Sequence, residues 1–310
     1  MNFNEKKLRY NNFSSFLKEK FGSKVYKIPI DAGFTCPNRE KGTPCAYCDP
    51  AGSGTGAYKR DISLENQIAG YINRFKDKYK AQKFIAYFQS FTNTYKPVGE
   101  LKQIYDSILQ FDEIVGISIG TRPDCVDKDK ISLISDYAEK YYVWIEYGMQ
   151  SANDRTLQAI NRGHSVNDLK NAVAMTKSIN KNINICLHVI LGLPDETHND
   201  MMYTADITAS LDVQGIKIHL LHIVKNTVLE KMYAGGLIKV MDERSYVSTV
   251  CDFLEKMPPQ LLIQRLTGER HPDILVAPKW CLDKSRILNE INEELIRRDS
   301  FQGKKWGRKI

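Results

Sequence analysis

Short apolar runs recur along the first two thirds of the chain, each separated from the next by a longer stretch with apolar positions three or four apart. The runs are VYKIPID (25–31), KFIAYF (83–88), EIVGISIG (113–120), YVWIEYG (142–148), NICLHVIL (184–191) and GIKIHLL (215–221). Too short for helices and rich in β-branched and aromatic residues, they read as strands. The stretches near 63–79, 99–111, 127–140, 165–179 and 198–211 carry the helical period. Ser63 and Asn167 serve as helix starts, with Pro97, Gly148 and Gly192 as punctuation. Six strands alternating with five helices predict right-handed βαβ units and a parallel sheet, hence an α/β fold.

A doubly wound sheet and a partial barrel both satisfy that count. The polar motifs separate them, because they follow successive strand ends: the cysteine loop, QSFTNTY, GTRPD, GMQS and GLPDE. One crowded rim is what a β/α barrel provides. Residues 223–310 break the rhythm: PPQ at 258–260 and HP at 271–272 flank an extended LLIQRL, and a charged helix is expected near 283–298. The expected organisation is a basic N-terminal segment (1–24), a barrel (25–222) and an extension packed on it (223–310), since no flexible linker precedes the last part.

Composition narrows the setting. The 310 residues are 42% apolar and 26% charged, ordinary for a globular protein. No run reaches 18 apolar residues, so no membrane-spanning helix is expected, and MNFNEKKLRYNNF lacks the layout of a secretory signal. A cytoplasmic protein with reduced thiols follows as the expectation. The net charge of +7 is concentrated toward the ends, at Lys6, Lys7, Arg9, Lys18, Lys20 and Lys24, then at Arg297, Arg298, Lys304, Lys305, Arg308 and Lys309. It suits an acidic partner such as RNA as well as it suits a solvated lysine surface.

Cys36, Cys45 and Cys48 sit in CPNREKGTPCAYCDPAGSG, spaced C-x8-C-x2-C. Three thiolates cannot complete a tetrahedral site, so a fourth ligand comes from elsewhere or one position stays open for chemistry. Gly42, Gly52, Gly54 and Gly56 let backbone approach a cluster closely. Alone, the loop fits a zinc knuckle as well as an iron–sulfur cluster; its place after a first β-strand favours the cluster. Cys125, Cys186, Cys251 and Cys281 are dispersed, and Cys186, in INICLHVIL, reads as a core residue. Lys217 and His219 alternate with Ile216, Ile218 and Leu220, so they share one face, which should be the barrel lumen, and they are the candidate catalytic pair. Asp31, Tyr87 and His222 are weaker candidates at strand ends. Arg265, Glu269 and Arg270 could close over the pocket or grip phosphate, although surface salt bridging is the plainer reading.

The three cysteines, followed by WIEYGMQS, INRGHS and LHVILGLPDET, resemble the radical S-adenosylmethionine superfamily. YFQSFTNTY, SIGTRPDCV and IKIHLLHIVKNT point within it to the YtqA/YhcC branch, related to the radical domain of the Elongator catalytic subunit. The usual triad is C-x3-C-x2-C; the longer first gap marks this branch. The resemblance implies a partial (β/α)6 radical SAM barrel with a C-terminal α/β extension. It also implies a 4Fe-4S cluster on Cys36, Cys45 and Cys48, and S-adenosylmethionine on the open iron. Reductive cleavage of that cofactor to a 5′-deoxyadenosyl radical would need an electron donor such as flavodoxin or ferredoxin.

By the same resemblance Gln89 and Ser90 stand where relatives hold the cofactor's amine, and Gly120 replaces a glutamate found in several of them. Gln150 and Ser151 match cofactor-contacting residues, Arg162 matches an arginine that pairs with the methionine carboxylate, and His188 matches a ribose-facing position. Glu146 and Gly192 complete the cofactor-binding set. Each has a plainer reading: Glu146 as a polar lumen residue, His188 as a hydrogen-bonded core histidine, Gly192 as a turn residue. The branch points to tRNA as partner and to the C5 substituent of wobble uridine, from carboxymethylaminomethyl to aminomethyl. A radical enzyme on a small molecule or peptide, and a non-enzymatic metal-bearing RNA-binding protein, are the alternatives.

Overall fold

Why does a chain with Lys, Glu and His inside its apolar strands fold at all? The computed structural model, which describes residues 8–50, 52, 54 and 56–307, answers by curling the sheet so that these strand positions share an inner face. Lys6, Lys7, Arg308 and Lys309 of the basic ends lie outside the described residues.

The strands are β1 (Val25–Ile30), β2 (Lys83–Phe88), β3 (Ile114–Thr121), β4 (Tyr142–Gln150), β5 (Asn184–Leu191), β6 (Gly215–Leu220), β7 (Ile223–Val224), β8 (Leu262–Arg265) and β9 (Leu275–Ala277). Seven of them form one sheet in the order β1-β2-β3-β4-β5-β6-β8. Every pairing in it is parallel, while β7 and β9 form a separate antiparallel pair. The six expected strands are present, and the LLIQRL segment adds a seventh to the same sheet. Pro29 is tolerated because β1 is an edge strand, where a missing N–H breaks no ladder.

The helices are α1 (Phe13–Phe21), α2 (Pro37–Glu40), α3 (Leu64–Tyr79), α4 (Val98–Asp106), α5 (Lys128–Tyr137), α6 (Asp154–Ala159), α7 (Val166–Ile179), α8 (His198–Ser210), α9 (Val228–Ala234), α10 (Glu243–Lys256) and α11 (Lys284–Arg297). Ser63 caps α3 as expected, accepting from the Asn66 N–H. The start of α7, Val166, lies one residue before Asn167. Ser165 caps it, and the Asp168 carboxylate accepts from the Ser165 N–H in return, a reciprocal pair that fixes the boundary. No helix among the described residues is long and apolar enough to cross a membrane.

Alternation along each strand sorts the two faces. Ile28, Phe88, Ile117, Ile119, Ile145, Tyr147, Ile185, Leu187, Ile216 and Ile218 pack outward among the core residues that the helices cover. Each such side chain contributes roughly 1.5–3 kcal/mol on burial. At the strand starts α1 contributes Phe13 to a cluster with Val25, Ile85, Trp144, Cys186 and Leu262, its ring edge-on to Trp144 at 5.3 Å. Cys186 is thus a core residue, and the opposite end of the barrel is where chemistry can be placed.

Candidate functional site

The cysteine loop is shaped locally. Cys36 is extended and opens α2, its carbonyl accepting from Arg39 and Glu40 at 3.0 and 3.2 Å, with Pro37 at the first helical position. A turn closes Cys48 N–H onto the Cys45 carbonyl at 2.9 Å. Gly52 has φ +56, and a Cβ there would lie 2.2 Å from the Phe91 ring, so only glycine fits between loop and β2 end.

Donors surround the sulfurs. Arg39 Nη2 lies 3.2 Å from Cys48 Sγ, Asn38 Nδ2 lies 3.6 Å and Arg162 Nη1 3.9 Å from Cys45 Sγ. Burial pushes the Cys48 thiol up while Arg39 pulls it down. Arg162 is held by the Gly148 carbonyl at 2.9 Å, which His164 Nε2 also meets at 3.0 Å. Arg122, absent from the sequence-based candidates, ties the loop to this turn. It donates to Asp124 at 2.6 Å, to Asn38 Oδ1 at 2.7 Å and to the Gly163 carbonyl at 2.9 Å. Its only sequence signal is its place just beyond a strand, in GTRPD.

All three cysteines are free of disulfides and face one cavity of about 410 Å³. Among the described residues no three His, Cys, Asp or Glu side chains form a group that could hold a single metal ion. A cluster of several irons asks for something else, one thiolate per iron with N–H donors around the sulfurs. The residues present fit such a group.

Within the lumen Glu146 is the hub of a buried network. Its Oε1 accepts from Lys27 at 2.7 Å and Ser118 at 2.5 Å; its Oε2 meets His188 Nε2 at 2.7 Å and Lys217 Nζ. Lys27 also reaches Gln264 at 2.8 Å, and Lys217 reaches the Tyr87 hydroxyl at 3.0 Å. Burial works to raise the Glu146 carboxyl, but Lys217 and Lys27 hold it well below the usual carboxylate range. Burial lowers Lys217 to about 7 against the attraction of Glu146. Burial and then Lys217 hold His188 down to about 4, so it is neutral at pH 7. One carboxylate thus holds two lysines and a neutral imidazole.

Of the residues singled out from sequence, Gln89, Glu146, Gln150, Arg162, His188 and His219 line the same cavity as the cysteines. Tyr87 and His222 do so too, and so do Gly120, Arg265, Glu269 and Arg270. The salt bridge expected on the last segment exists, between Glu269 and Lys284, but both arginines stand on the cavity wall. Ser90, Ser151, Gly192 and Lys217 lie behind the lining. Ser90 is fully buried, Ser151 donates to Glu196, and Gly192 turns at φ +82 against Met241. Lys217 supports Glu146 from beneath. Asp31 accepts from the backbone of Gly33 and Gly56 and shapes the glycine-rich loop. Lys27 was missed, although its place as a polar residue at alternate spacing inside VYKIPID was the available signal.

A half-barrel with three cysteines at its rim and a charged lumen defines an enzyme that works on a cluster-bound cofactor. The Radical SAM superfamily matches residues 32–207, and the Radical_SAM C-terminal domain matches residues 213–297. The chain belongs to the radical SAM superfamily, whose enzymes use a 4Fe-4S cluster and S-adenosylmethionine. It is 43% identical over 300 residues to the YtqA protein of Bacillus subtilis strain 168, covering 96% of this chain and 92% of that one. Protein YhcC of Escherichia coli K12 is 32% identical over 303 residues, 96% of each chain. The fold is similar to that of Elp3 of the archaeon Methanocaldococcus infernus, with a TM-score of 0.70 at 15% identity, over 90% of this chain and 64% of that one.

Proposed function

We propose that this radical SAM enzyme acts on tRNA, at the C5 substituent of wobble uridine, converting carboxymethylaminomethyl to aminomethyl. The observation that carries the substrate reading is a likeness to a tRNA uridine(34) acetyltransferase of Dehalococcoides mccartyi, 24% identical over 155 residues, 49% of this chain and 33% of that one. The net charge of +7 supports an RNA partner.

Cys36, Cys45 and Cys48 would hold the cluster. Gln89, Gln150, Arg162, His188 and Glu146 would face S-adenosylmethionine, with Ser90, Ser151 and Gly192 setting the strand ends behind them. The bound cofactors supply hydrogen-atom abstraction from an unactivated C–H bond. The chain's own task is to orient that bond and exclude water. Lys217 holds Glu146 in place, and His219 presents an imidazole toward the substrate. In this reading residues 25–222 are the catalytic barrel and 223–310 the extension that extends its sheet, with 1–24 as a basic leading segment. The setting is the cytoplasm, with flavodoxin or ferredoxin as electron donor.

Mass spectrometry of wobble nucleosides tests it. A deletion strain should accumulate 5-carboxymethylaminomethyluridine and lose its aminomethyl descendants; an unchanged nucleoside set refutes the reading. Purified chain should bind total tRNA at low salt, with affinity falling steeply as salt rises. No binding at low salt would turn the search to a small molecule or peptide.

A further inference from the structure

Part of the cavity wall is contributed by the ends of β6 and β8 and the segment that follows β8, and none of the cofactor contacts above uses it. His219 and His222 come from the β6 end; Arg265 closes β8, and Gly268 and Arg270 follow. The Nε2 atoms of His219 and His222 are both buried without a hydrogen-bond partner in the protein. A buried polar atom left unpaired costs about 1–3 kcal/mol, so a pair of them on one wall calls for a ligand.

Gly268 keeps the place open. A Cβ there would lie 2.7 Å from His222 Cε1, so any other residue would press on that ring. This wall carries Arg265 and Arg270 with one carboxylate, Glu269. Glu269 is engaged by Lys284, and Glu146 by Lys27 and Lys217. The Arg265 and Arg270 guanidiniums both act on the two imidazoles. Burial, with Arg265 and Arg270 beside them, keeps both imidazoles uncharged, so each can offer a neutral N–H.

We propose that His219, His222, Arg265 and Arg270 form an oxyanion subsite that receives a carboxylate or phosphate of the substrate. Two guanidinium forks and two imidazole donors match planar carboxylate or tetrahedral phosphate oxygens, and water exclusion strengthens each bond. The inference rests on the tRNA reading only for the choice of probes: the substituent carries a carboxylate, and the nucleotide carries a phosphate.

The test is isothermal titration calorimetry on the anaerobically reconstituted full chain. The probes are 5-carboxymethylaminomethyluridine, 5-aminomethyluridine, uridine, uridine 5′-monophosphate and inorganic phosphate. Arg265→Gln and Arg270→Gln should each weaken the anion-bearing probe about 10- to 100-fold, leaving its counterpart without the anion unchanged. Arg265→Lys should recover part of the loss, which separates lost charge from misfolding. Discrimination between the first two probes assigns the subsite to the substituent carboxylate. Discrimination between the next two, with inorganic phosphate competing, assigns it to phosphate; the subsite then stands even if the wobble-substituent reading falls. Should neither anion gain over its counterpart, or should both glutamine variants bind as wild type, the subsite is overturned. The tRNA reading would still stand on its nucleoside assay.

Discussion

The cysteine loop and the Glu146 network face the same cavity, yet they are built on opposite plans. The loop takes its form from neighbours in sequence: a four-residue helix opened by Cys36, a turn from Cys45 to Cys48, and glycines that let the backbone bend. Its sulfurs are ringed by donors that serve a group the protein must acquire. The network gathers Lys27, Ser118, Glu146, His188 and Lys217 from five strands, and its charges satisfy one another. One region stores binding capacity and the other stores fold stability. Substitutions should therefore separate the two properties.

The largest effect is expected in the loop. Cys45→Ser should reduce iron from about four per chain to near none after reconstitution, and abolish cleavage of S-adenosylmethionine. The unfolding free energy of the metal-free chain should change by less than about 1 kcal/mol. Iron analysis and urea unfolding check both halves; a large loss of metal-free stability would erase the contrast.

Next comes the hub. Glu146→Ala leaves the buried Lys217 and the half-buried Lys27 without their carboxylate, and should cost about 3–5 kcal/mol in urea unfolding. Adding Lys217→Met should return part of that loss. A cost below about 1 kcal/mol would mean that the network is solvated and not structural.

A smaller effect follows from pH. His188 and His222 are held down to about 4, chiefly by burial, then by Lys217 for the first and Arg270 for the second. An unfolded histidine binds its proton near 6.5 while these stay neutral, so the unfolded state gains protons first as pH falls. Stability should be fully present above about 6.5 and decline toward 4, by about 2 kcal/mol per histidine between pH 7 and 5. Equilibrium unfolding across that range reads it, and His188→Asn should flatten the slope. The smallest change serves as a reference outside both regions. Thr197 caps α8 in a reciprocal pair with Asp200, and Thr197→Ala should cost about 1 kcal/mol without altering iron content.

What could be read in advance follows the same division. VYKIPID, EIVGISIG and NICLHVIL announce strands because alternation and β-branching are local properties. The cysteine spacing announces a metal site for the same reason. Alternation also puts Lys217 and His219 on the lumen side, where the structure has them. Lys27 escaped notice because a single lysine in an edge-strand run looks like a solvated residue until β8 supplies Gln264 beside it. LLIQRL was legible as extended chain, but not as the partner of β6, since nothing local says where a strand docks. The helix Glu243–Lys256, capped by Asp242, was hidden in a region judged by its prolines. Asn167 was a plausible start that Ser165 supersedes, because only the side-chain geometry shows which residue closes the capping pair.

The places of the strands along the chain and the spacing of the cysteine triad were determined by residues close together in the chain, through backbone propensity and alternation. The meeting of Glu146 with four strand neighbours, the Arg122 bridge to Gly163, and the wall of His219, His222, Arg265 and Arg270 were decided by tertiary structure alone. Each depends on inter-strand register and on the curl of the sheet, and a shift of one residue would turn strand side chains such as Glu146, His188, Lys217 and His219 to the opposite face.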